Sequence, residues 1–213
     1  MSETNITRRR LIQAGLCFGC GLMLPGQANA GTIHELSGGV YINKRRATRA
    51  DVVQPGDVVS TSHNGSVAFS VDGDAFRLSG FSSMRVGNRD NSLINTLELF
   101  TGKLLSVFAT GRPRKIVTAS LTMGIRGTGV YLENTPTSTF CCTCYGKTEV
   151  SSGGHTLEFD AVHHDGRQFD YDHGQLVNIG PGEMRGHTDD DLRQLEGYVG
   201  RVPLFDRIKN ENG

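Results

Sequence analysis

Tryptophan is absent from the 213 residues, aromatic side chains make up only 7% of them, and there are six prolines. Charge of one sign is lacking too, since 22 basic side chains face 22 acidic ones. Setting aside the first thirty residues removes Arg8, Arg9, Arg10 and Glu3 and leaves 19 basic against 21 acidic groups. A near-neutral chain without a basic stripe interleaved with aromatics has no electrostatic footprint for nucleic acid, so none is expected as a partner. No apolar run reaches the ~20 residues needed to cross a bilayer, so no transmembrane span is expected beyond residue 30.

Glycine is abundant, with 28 residues. Short apolar runs broken by glycine-rich turns favour an all-β fold over a helical one, and the length suits one domain. From Leu36 onward, alternating segments of four to seven residues recur with turn signals between them, among them Pro55-Gly56, Asp72-Gly73 and Thr101-Gly102. Asn64-Gly65 has the composition of a two-residue hairpin loop, and Asn88 to Ser92 reads as a polar turn. This spacing predicts a β-sandwich or roll, with a short β-solenoid as the alternative. Lys44, Arg45, Arg46 and Arg49 fall in a polar stretch expected to be an exposed loop.

Two segments break the pattern. Thr7-Arg-Arg-Arg-Leu-Ile12, a modest apolar run to Leu24, and Ala28-Asn29-Ala30 together form a positive region, a short apolar region and a small-x-small cleavage site. The twin arginine matches an export signal of the Tat type, a route that carries folded proteins, so residues 1–30 are expected to be removed and the remainder to lie in the periplasm. At the other end, residues 181–213 change period. Thr188 suits an N-cap, Asp191 the reciprocal position, and Leu192, Leu195 and Val199 share one face before Gly200. One amphipathic helix is expected there, after a β domain over residues 31–180.

The stretch Met123–Gly146 concentrates the chemistry. Gly124, Gly127 and Gly129 punctuate a bend carrying Arg126 and Thr128, and Phe140-Cys-Cys-Thr-Cys-Tyr145 reads as the return strand of a hairpin. Arg126 either pins the hairpin through carbonyls or a carboxylate or, with Thr128, contacts a ligand or partner. Three cysteines outside the leader cannot all pair with one another, and an odd thiol in an oxidising compartment points to metal, redox chemistry or an intermolecular link. Cys142 and Cys144 would share one face of the strand, with Cys141 on the other. Alternate Cα atoms lie ~6.6 Å apart, near the upper limit for a disulfide, whereas two thiolates on one face can share a soft metal. His163 or His164, with Asp165 or His187, could complete a site for zinc or copper. Cys144 beside either of the paired histidines could also supply a nucleophile and base, but no pattern requires it, and the chain is not expected to be an enzyme.

The ordered segments L-S-G-G-V-Y, Q-P-G-D-V-V-S-T, N-G-S-V-A-F-S-V-D-G-D-A-F-R-L, L-E-L-F-T-G-K-L-L-S-V-F and T-M-G-I-R-G-T-G-V-Y-L-E resemble the FecR domain, over Gly38 to about Glu133. F-C-C-T-C-Y-G, H-H-D and the tail H-T-D-x-x-L…V-G-R-x-P-x-F are similar to those of stand-alone exported FecR-domain proteins. The best-known members of that family are transmembrane regulators that sense a loaded outer-membrane transporter and control an extracytoplasmic sigma factor. This sequence shows neither their cytoplasmic segment nor their membrane span. The resemblance implies a periplasmic recognition or regulatory domain that binds a protein or envelope partner. The alternative is a metal-binding or thiol-redox protein using Cys141, Cys142, Cys144, His163 and His164.

Overall fold

Four strands run well past the usual strand length, and they set the architecture. They are β7 (Asp74–Val86), β8 (Thr96–Val107), β10 (Thr122–Asn134) and β11 (Ser138–Ser152). Each passes through residues with positive φ near its middle: Gly80 and Phe81 in β7, Gly102 in β8, Gly127 in β10 and Gly146 in β11. At these corners the long strands change partners. β7 pairs first with β6 (Ser66–Val71) and then with β5 (Val58–Thr61). β10 pairs with β9 (Arg114–Val117) and then with β8, and β11 with β13 (Asp165–Asp172) and then with β12 (His155–Ala161).

The computed structural model describes residues 31–87 and 95–211. The expected leader and the Asn88–Ser92 turn lie outside these described residues. The remaining strands are β1 (Gly31–Ser37), β2 (Val40–Ile42), β3 (Arg45–Arg46), β4 (Val52–Val53) and β14 (Gln175–Pro181), and together the fourteen form one open sheet. Pairing is antiparallel except between β8 and β9, so the parallel stacking of a solenoid is not what this chain adopts. The all-β expectation holds. Asn64-Gly65, however, does not close a hairpin, because β5 and β6 lie end to end along β7 rather than side by side. The Ser62 carbonyl accepts the Phe81 N–H at 3.1 Å, and the Gly65 carbonyl accepts that of Gly80 at 2.9 Å, so the turn fills the corner of its neighbour. The basic stretch likewise forms a hairpin, β2–β3, through Asn43 and Lys44, both at positive φ, with Arg45 and Arg46 exposed.

Because side chains alternate across a strand, the folded-over sheet buries one face against itself. Phe69, Phe76, Leu78, Leu104, Val130, Leu132 and Phe169 from one half meet Val59, Met84, Leu97, Ile116, Met123 and Val150 from the other in a single core cluster. Each such side chain gives roughly 1.5–3 kcal/mol on burial. The opposite face of the first half carries a second apolar cluster, Ala68, Ala75, Leu105, Tyr131, Phe140, Cys142 and Cys144, and there the C-terminal segment docks. That segment contains two helices where one was expected: α1 (Asp189–Tyr198) and α2 (Leu204–Glu211). Thr188 and Asp191 form the anticipated capping box, and Leu192, Leu195 and Phe205 pack into the second cluster. α2 follows Pro203 and spans two turns, too short for its periodicity to stand out in the sequence.

Asp51 organises the exposed turn after β3. Its carboxylate accepts from the Thr48 N–H at 2.7 Å and from Arg45 at 2.5 Å. The Arg45 hydrogen bond, then those of Thr48, lower its pKa to about 2. A depressed carboxyl pKa contributes stability above the unfolded value of ~3.9, which is lost as pH falls. An NMR titration is expected to give Asp51 a midpoint about two units below an ordinary aspartate, with the turn loosening between these values. An ordinary midpoint would contradict the observed geometry.

Candidate functional site

On the outer face of the first half, alternation along β11 turns Cys142 and Cys144 towards the helices and Cys141 towards the main core. The next contribution comes from the corner between β12 and β13. His164 sits there at φ 45°, and its N–H donates to the Cys144 carbonyl at 2.9 Å, which fixes the corner beside the thiols. The last comes from the chain leading into α1. Gly186, at φ 72°, turns that chain over Tyr131, and a Cβ there would run into the tyrosine hydroxyl. The turn delivers His187 flat against the Tyr131 ring, with centroids 4.7 Å apart and planes 22° from parallel.

The result is a tetrad. One ligand atom from each of Cys142, Cys144, His164 and His187 lies within 4.8 Å of all the others. Cys142 Sγ is 3.5 Å from His164 Nδ1, Cys144 Sγ is 3.3 Å from His187 Nε2, and the two ring nitrogens are 3.3 Å apart. The outer nitrogens are occupied. His187 Nδ1 lies 2.9 Å from the Arg185 carbonyl, which can only accept, so that nitrogen carries a proton. His164 Nε2 lies 2.9 Å from Asp189 Oδ1 and donates to the carboxylate in the same way. In the neutral rings both inward nitrogens therefore present lone pairs to the two sulfurs and to each other.

Burial and hydrogen bonding split the thiols. The bond from Cys144 holds the Cys142 pKa well below the usual thiol range; burial opposes this, and His164 and His187 reinforce it. Burial pushes Cys144 the other way. Burial also works against a charge on His164, but its bonds to Cys142 and Asp189 outweigh this and raise its pKa.

The other sequence candidates lie elsewhere. Cys141 is enclosed in the main core, where burial raises its pKa to about 12. His163, half exposed, reaches Asp189 at 2.9 Å and stands edge-on to Phe205, so it abuts the tetrad without pointing into it. Asp165 pairs with Arg167 instead. Arg126 is exposed on the rim of a hollow shared with Lys147, Glu149, Glu158 and Asp160. Thr128 is buried at the β10 corner and has no exposed surface. Asp189, absent from the sequence-based set, is the shared acceptor for both paired histidines; an acid in the first turn of a helix also suits the helix dipole, so its sequence position alone does not mark it as part of a site.

No family profile and no curated protein matches the chain. Among solved structures, two crystal structures of a candidate anti-sigma factor from Parabacteroides distasonis are similar in fold, one with a TM-score of 0.50 at 16% identity and the other 0.49 at 14%. Each alignment covers 58% of this chain and 59% of the other, so the chain spans well under two thirds of the proteins it matches. The shared property is the open β-fold. This chain is an all-β protein with two short helices, similar in fold over 58% of its length to the first of those structures.

Proposed function

We propose that the chain is an exported, FecR-like recognition domain that regulates by binding a protein of the cell envelope, and that it is not an enzyme. The observation that carries this reading is the placement of the FecR-like segments, which run in order along β1 to β10, over the bent strands that define the fold. The neighbouring fold in a candidate anti-sigma factor supports a regulatory role. The closed nature of the thiol site supports the absence of catalysis, since neither Cys142 nor Cys144 has exposed surface for a substrate to reach.

The docking surface is the free edge at β14. Among the described residues that strand pairs only with β13, its residues are mostly exposed, and Val177 is 64% exposed. An edge of this kind accepts an extended segment of a partner through main-chain hydrogen bonds. A photo-crosslinking side chain at position 177 is expected to give one discrete adduct with an envelope protein in producing cells. Replacing Arg8→Lys and Arg9→Lys should abolish the adduct, because a chain held in the cytoplasm cannot meet that partner. No adduct, or one indifferent to the arginine changes, would contradict the reading.

A further inference from the structure

We propose that Cys142, Cys144, His164 and His187 form a closed tetrahedral zinc site that fastens the C-terminal segment to the outer face of the sheet. The Arg185 carbonyl and the Asp189 carboxylate occupy the outer ring nitrogens, so two inward nitrogens 3.3 Å apart would repel each other unless a proton or a cation lies between them. Two sulfurs face the same point, and a cation there satisfies all four donors at once.

The distances fit. Tetrahedral zinc, with bonds of ~2.3 Å to sulfur and ~2.0–2.1 Å to nitrogen, places sulfur about 3.6 Å from nitrogen and the nitrogens about 3.3 Å apart. The chain gives 3.5 and 3.3 Å for the sulfur–nitrogen pairs and 3.3 Å for the nitrogen pair. Two thiolates and two imidazoles suit zinc and leave magnesium and calcium, which take oxygen ligands, poorly served. A histidine that binds metal through one nitrogen and donates from the other to a carboxylate or carbonyl is the usual second layer of such sites, and both histidines here have one. All four positions are filled by the protein, which marks a structural site rather than one open to substrate.

What the ion would hold follows from where the ligands come from. Cys144 and His187 are 43 residues apart, on β11 and at the entry to α1. The helices have only 10 and 8 residues, so their stability depends on docking. The ion joins the strand, the β12–β13 corner and the helix entry at one point, beside the Leu192, Leu195 and Phe205 contacts.

The test uses the full chain purified without chelators. Elemental analysis is expected to find one zinc per chain in the native protein and in Cys141→Ser and His163→Ala, and a loss of at least tenfold in Cys142→Ser/Cys144→Ser. Should the double variant fail to fold, chelation of the native protein carries the test. Hydrogen exchange of the α1 amides should accelerate at least tenfold on chelation and recover when zinc is returned, while the β7 and β8 amides hold their protection. Native protein without stoichiometric zinc, zinc retained by the double variant, or α1 exchange indifferent to chelation would overturn the proposal.

Discussion

Asp74→Ala is expected to lower folding stability by about 3–5 kcal/mol, the cost of leaving a buried charge without its partner. Asp74 opens β7 and has no exposed surface; Arg114 opens β9 and is buried to the same degree. Arg114 Nε donates to Asp74 Oδ2 at 2.7 Å, and the Ala109 N–H donates to Asp74 Oδ1 at 2.8 Å. Burial raises the Asp74 pKa, partly offset by these donors. The pair thus joins two strands and the Ala109 backbone at one point. Removing the carboxylate strands the guanidinium, which keeps the Asp72 contact at 3.2 Å but loses its shorter ion pair. Urea unfolding of Asp74→Ala beside Asp74→Asn checks this. The asparagine keeps the volume and an acceptor and should lose less. A shift within about 0.5 kcal/mol for the alanine variant, as surface substitutions give, would show that the pair contributes little.

Gly186→Ala is the second change with a large expected effect. A residue at φ 72° other than glycine costs about 1–3 kcal/mol, and here the added methyl group also meets the Tyr131 hydroxyl. Tyr131 cannot step aside easily, since it is buried in the second apolar cluster and stacked on His187. The chain relieves the collision by lifting the turn, which withdraws His187 from the tetrad. Gly174→Ala is the matched control, with φ 79° and nothing within 4 Å of its added Cβ. Both variants should carry the backbone strain. Only Gly186→Ala should also lower zinc content and loosen α1. Equal behaviour of the two would mean that the Tyr131 contact does not position His187.

The fold was legible where a local rule decides it. Alternation placed Cys142 and Cys144 on one face and Cys141 on the other, and the capping residues of α1 stood at their proper spacing. The folding-over of the sheet was hidden. Alternation resumes on both sides of Gly80, Gly102 and Gly127, and nothing local says that one bent strand, rather than two strands and a turn, crosses the corner. The same blindness made Asn64-Gly65 read as a hairpin loop. In the site, the paired histidines look equivalent in sequence, yet the positive φ of His164 turns one ring inward beside Cys142 while His163 stays at the rim. Which of Asp165 and His187 completes the set depends on the turn at Gly186, a long-range packing against Tyr131 that no spacing encodes.

X-ray absorption at the zinc edge of the native full chain reads the ligands of the bound ion one shell at a time. The tetrad predicts about two sulfurs at ~2.3 Å and two nitrogens at ~2.0–2.1 Å, with no oxygen in the first shell. A shell of oxygen and nitrogen alone, or three or more sulfurs, would place any bound metal elsewhere and contradict the account.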